Sequence, residues 1–105
     1  MSTGRVVTWL GLEVRDEAEY ARYRAAMAPI LARYGGRFEH DFVVAQVLQS
    51  SASPRVNRVF AHSFPDAERR AAFYADPEYV RVRATHFEPA VASAHRLALF
   101  VAGEE

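Results

Sequence analysis

The chain has 105 residues, half of them hydrophobic and a quarter charged, with thirteen basic and thirteen acidic residues balancing to a formal charge of zero. That length is near the modal size of one domain, so a single domain is expected over residues 1–105, with its core between about 5 and 102. The interspersed charge lacks the basic footprint of a nucleic-acid or anionic-membrane binder, no run approaches the ~20 apolar residues of a membrane span, and the lack of cysteine excludes disulfides, thiolate metal sites and thiol nucleophiles.

At the N-terminus, "MSTGRVVTWLGLEV" has neither a basic n-region nor a small-residue cleavage site, which points to the cytoplasm. All thirteen basic residues are Arg, a skew that with the many alanines points to a GC-rich bacterial source. "RVVTWLGLEV" (5–14) is apolar on both alternations and predicts a strand covered on both faces. Asp16 with Glu19 has capping-box spacing, and Tyr20, Tyr23, Met27, Ile30 and Tyr34 follow on one face, so a helix is expected over about 17–34. Pro29 should bend it and Gly35-Gly36 should end it.

"RFEHDFVVAQVLQ" (37–49) predicts a second strand with Phe38, His40 and Phe42 on one face, and "SSASP" a loop. "RVNRVFAHSF" (55–64) predicts a third, with Arg58, Phe60, His62 and Phe64 together. Pro65-Asp66 opens a helix to about Ala75, and Asp76-Pro77 opens another that Pro89 should end. "SAHRLALFVA" (93–102) closes the pattern as a fourth strand. The order βαββαβ, with a split second helix, predicts the α+β ferredoxin-like plan: a four-stranded antiparallel sheet with helices on one face. Strands apolar on both sides leave the other face unsuited to water, and a face-to-face homodimer closing into a dimeric α/β barrel is the economical solution.

Asp16, Tyr20, Tyr23, Gly35 and Gly36, then Phe64, Pro65, Phe73, Tyr74, Pro77, Glu78, Tyr79 and Arg83, resemble the bacterial family called domain of unknown function 1330 over roughly residues 7–101. Its members carry a D-x-x-x-Y-x-x-Y helix ending in Gly-Gly and a later F-P…F-Y-x-x-P-E-Y segment. The resemblance implies a ferredoxin-like dimeric barrel and no particular chemistry. This chain departs from the family pattern after the second strand, where "QSSASPRVN" replaces a stretch that is usually acidic, contains glycine and is followed by Trp.

No Gly-rich phosphate loop, Ser-His-Asp order or HExxH occurs, and Gly35-Gly36 reads as a helix stop, so no cofactor and no metal site is implied. Of the four histidines, His40 and His62 fall on strands that this plan makes neighbours, and His86 falls on a helix. Arg58 points the same way as Phe60 and needs either an anionic ligand or a carboxylate partner, with Glu39, Asp41 and Glu13 in range. Tyr79, Arg83 and His86 form a stripe at i, i+4 and i+7. A pocket between sheet and helices would have Trp9, Tyr23, Phe60 and Tyr74 as walls and Arg58 and Tyr79 as polar contacts, with His62, Arg83 and His86 as candidate catalytic groups. Whether the protein is an enzyme stays open at this level. One reading is a dimer that binds or transforms a small organic molecule without a recognisable cofactor, and the other is a non-catalytic metabolite- or protein-binding module.

Overall fold

The computed structural model describes residues 4–103. β1 (Val6–Val14) leads to α1 (Glu17–Arg33), β2 (Arg37–Val43), β3 (Arg58–Phe64), α2 (Ala67–Ala75) and α3 (Pro77–Val82). A π-helical turn (Arg83–Phe87) and a short last turn, α4 (Glu88–Ala90), bring the chain to β4 (Val91–Val101). All pairings are antiparallel in one sheet of order β2-β3-β1-β4, the ferredoxin-like arrangement. Residues 1–3 and 104–105 of the expected domain lie outside the described residues.

The three longer helices each start where an aspartate takes up their free N–H groups. Asp16 accepts from Glu19 N at 3.0 Å, Asp66 from Arg69 N at 2.8 Å, and Asp76 from Glu78 N and Tyr79 N at 2.7 and 3.1 Å. The reciprocal half of the capping box at α1 is not formed, because the Glu19 carboxylate is engaged by Arg22 and His86 instead. α1 runs through Pro29 and closes in a Schellman motif, with Gly36 N–H on Leu31 O at 2.9 Å, Gly35 N–H on Ala32 O at 3.0 Å, and Gly35 at φ +73°.

Three local expectations are corrected. β2 stops at Val43, not Gln49: Asn57 turns its amide to both backbone groups of Val14 at 2.8 Å, leaving residues beyond Val44 without a ladder partner. Within β2 a bulge sets Phe38 opposite His62 but His40 opposite Ala61. Phe38 therefore packs on Phe60 while His40 stacks on Trp9 across the sheet, so His40 and His62 do not converge. The last helical segment also continues past Pro89 to Ala90. Proline has no N–H and crowds the carbonyl four residues back; the π turn before it, with Glu88 N–H reaching Arg83 O, opens the ladder enough to keep the chain helical.

The helices cover one face of the sheet. There Leu12, Phe60 and Phe64 meet Tyr20, Tyr23 and Ile30 of α1 and Phe73 of α2, all buried, and full burial of such a side chain is worth ~1.5–3 kcal/mol. On the other face Phe42 and Phe100, beside a partly buried Trp9, and Leu97, beside Gly11, are each close to half exposed. The Cα envelope is only 16 Å through in its thinnest direction, room for one sheet and one helical layer.

Candidate functional site

A cavity of about 110 Å³ lies on the helix-covered side of the sheet. Its floor is Leu10 and Leu12 of β1, Phe38 of β2, Phe60 and His62 of β3 and Ala94 of β4. Its roof is Tyr23 and Met27 of α1 with Phe73 and Tyr74 of α2, and its end wall is Tyr79, Arg83 and Phe87. Asp76 fixes the roof against the end wall: besides capping α3, its carboxylate accepts the Tyr34 hydroxyl from the end of α1 at 2.6 Å. Those bonds hold its carboxyl below the usual aspartate range, the Tyr34 hydroxyl foremost.

The polar groups of the cavity are paired. Tyr74 Oη lies 3.1 Å from His62 Nε2, and Tyr23 Oη lies 2.8 Å from Tyr79 Oη. His62 is only 4 % exposed and enclosed by the rings of Phe38, Phe60, Phe64 and Tyr74. Burial, aided by the charges of Arg70 and Arg24, pushes its pKa down to about 4, so the imidazole is neutral at neutral pH. Burial likewise pushes the Tyr74 hydroxyl up to about 12 and raises Tyr23 and Tyr79, so all three remain protonated. Arg83 stands at the end wall, its guanidinium 4.9 Å from the Phe87 ring centre and 3.3 Å from Glu88 Oε2. The arrangement can hold a small organic molecule among rings, offer it hydroxyl and imidazole hydrogen bonds, and face it with one positive charge.

Six residues picked from the sequence thus meet in one place: Tyr23, Phe60, His62, Tyr74, Tyr79 and Arg83. Three others do not. Trp9 is on the opposite face of the sheet, because strand alternation sends it away from Leu10 and Leu12, and it stacks on His40 at 5.2 Å. Arg58 is occupied by Asp41, with its Nε and Nη2 on the two carboxylate oxygens at 2.9 and 3.0 Å, and that bidentate pair raises the Arg58 pKa and lowers that of Asp41. His86 leaves the Tyr79–Arg83 stripe because the wider π turn takes up an extra residue, returning Phe87 to the cavity instead. His86 hydrogen-bonds Glu19 and ties the π turn to α1. Phe38, Phe73 and Phe87 are lining residues the sequence reading did not select; their only signal is aromatic character at core positions.

Sheet order and one-sided helices, with a partly open cavity between the layers, define a ferredoxin-like α+β protein. The sequence makes the class more specific. Residues 8–99 match the family described as Domain of unknown function (DUF1330), and the chain belongs to that family. Among solved structures it is similar to a protein of unknown function from Rhodopseudomonas palustris (TM-score 0.81, 17% identity, covering 97% of this chain and 85% of the other). It is also similar to an uncharacterised NIPSNAP-like domain protein from Burkholderia xenovorans (0.65, 17%, 97% and 90%). A third is a variant of SnoaB, a cofactor-independent oxygenase from Streptomyces nogalater (0.63, 20%, 97% and 96%). At these identities the likeness concerns the fold. No curated protein matches the sequence. Among the described residues, no helix is long and apolar enough to cross a membrane.

Proposed function

We propose that the protein is a cytoplasmic bacterial homodimer, one domain over residues 1–105, that binds or transforms a small organic molecule in the cavity between sheet and helices with its own side chains. The observation that carries this reading is the partly open, ring-lined cavity into which His62, Tyr74, Tyr79 and Arg83 converge. The resemblance to a cofactor-independent oxygenase supports a fold on which such a pocket can work on an organic substrate. The homodimer rests on the open face, where Phe42 and Phe100 lie beside Trp9 and Leu97 beside Gly11. A second copy laid face to face would cover them.

In a thermal-shift screen of metabolites, hits should raise the melting temperature of the native protein and lose most of that shift in His62→Ala and Arg83→Ala. Hits that bind both variants unchanged would remove the pocket assignment. Sedimentation at micromolar protein should give twice the chain mass, and a monomer would remove the dimer. The second reading, a binding module without turnover, is favoured by the pairing of His62 with Tyr74 and of Tyr23 with Tyr79, which leaves no free, strong base in the cavity among the described residues. Recovery of every screened ligand chemically unchanged after prolonged incubation would decide for it.

A further inference from the structure

The cavity differs in charge from most of the surface. The chain as a whole is neutral, yet among the described residues no Asp or Glu lines the cavity, and the one formally charged lining residue is Arg83. Two further guanidinium groups stand just behind the lining. Arg70 lies 5.1 Å from the Tyr74 ring centre, and Arg24 lies 3.6 Å from that of Phe38. Arg24 shares the single carboxylate of Asp41, at 2.9 Å, with Arg58, and Arg70 has a buried Nε with no hydrogen-bond partner among the described residues. The field inside is therefore positive, consistent with the cationic influence of these groups on His62 and Tyr74.

Arg83 is also available. Its partner Glu88 is 60 % exposed and the pair is long at 3.3 Å, so a better-placed anion inside the cavity can replace it at little loss. The planar guanidinium fork suits a carboxylate. Beside it, the Tyr23–Tyr79 pair uses one of its two hydroxyl protons internally, leaving one O–H to donate. Size limits the rest of the ligand. A cavity of about 110 Å³ is smaller than the roughly 150 Å³ that holds benzene in an engineered apolar cavity, so it admits no more than one ring. Rings of Tyr23, Phe60, Phe73 and Tyr74 supply faces and edges for an aromatic guest.

From this juxtaposition of a single-ring volume, aromatic walls and a guanidinium held only by an exposed carboxylate beside a free tyrosine proton, we infer that the ligand is a single-ring aromatic carboxylate. Its carboxylate meets Arg83 and the Tyr23–Tyr79 hydroxyls, and its ring lies toward Phe60 and His62. This inference rests on the pocket reading given above and names its ligand class.

Calorimetric titration with benzoate, benzamide and 2-naphthoate, read alongside methyl chemical shifts of the lining Met27 and Ala94, tests it. Benzoate should bind and move those methyls, with benzamide and 2-naphthoate each about tenfold weaker or more. Arg83→Gln, a change at a half-exposed site that folding tolerates, should weaken benzoate about tenfold and leave benzamide within about twofold. Benzamide binding as tightly as benzoate, naphthoate binding more tightly, or benzoate indifferent to Arg83→Gln overturns the ligand class while the moving methyls keep the pocket. If none of the three probes, and not benzene either, moves the methyls, the pocket reading falls and the ligand class with it.

Discussion

The two faces of the sheet are built from alternate residues of the same strands, and they end in different states. On the helix-covered face, Phe60, His62 and Phe64 are closed off by α1 and α2, and their polar atoms find partners within the chain. On the open face, too, polar side chains pair within the chain. Ser63, fully buried, accepts from Arg5 Nε at 2.8 Å and donates to Glu39 at 2.7 Å, while Arg5 also reaches Gly35 O at 2.6 Å. What the open face lacks is a cover for its apolar area. Hydrogen bonds are short-ranged and can be completed by neighbours on adjacent strands, whereas burying apolar surface takes a whole second layer.

The sharpest way to break this contrast is to truncate one ring on each face. Phe73→Ala removes a side chain 1 % exposed that touches Tyr34, Phe64, Tyr74 and Tyr79, and should cost about 3–5 kcal/mol in urea denaturation. Phe100→Ala, measured at high dilution, should stay within about 0.5 kcal/mol. Equal losses would mean the open face is closed within a single chain. A smaller effect comes from pH. His62 has a folded pKa of about 4 against 6.5 for the ordinary group, so the unfolded chain takes up its proton first. Its contribution is complete above pH 6.5 and is lost as pH falls toward 4, on the order of 3 kcal/mol in all. His62→Gln should flatten that part of the urea-midpoint profile, and an unchanged profile would show that the imidazole is not dry. Smaller than the pH effect is the coupling of Tyr23 and Tyr79: a double-mutant cycle with Phe at both should return about 1 kcal/mol, and none if water already satisfies both hydroxyls.

These features differ in how legible they were. Strand and helix order followed from alternation and from Asp16, Asp66 and Asp76 at helix starts, because caps and periods are local properties of sequence. The cavity was half legible, since Tyr23, Phe60, His62, Tyr74, Tyr79 and Arg83 carry visible chemistry and fall on the correct faces. The three misplaced residues have different causes. Trp9 was on a correctly read alternation whose covered side had not been assigned. His86 was displaced by a π turn, which depends on how the backbone accommodates Pro89. Arg58 had three candidate carboxylates, and strand pairing chose Asp41 because Val43 and Phe60 bring Asp41 beside it. The bulge that separates Phe38 from His40 likewise has no signature in a pattern of period two.

A slab 16 Å through has a further consequence. In a thick protein a binding site is insulated from the far surface by layers of packed side chains, but here only one strand stands between them. Ser63 and Ala61, buried on the open face, flank His62 in the chain, so any displacement of the backbone at those two residues re-aims the imidazole inside the cavity. The far side of this sheet is mechanically the back wall of the pocket, and a mutation scan of the open face is also a scan of the site.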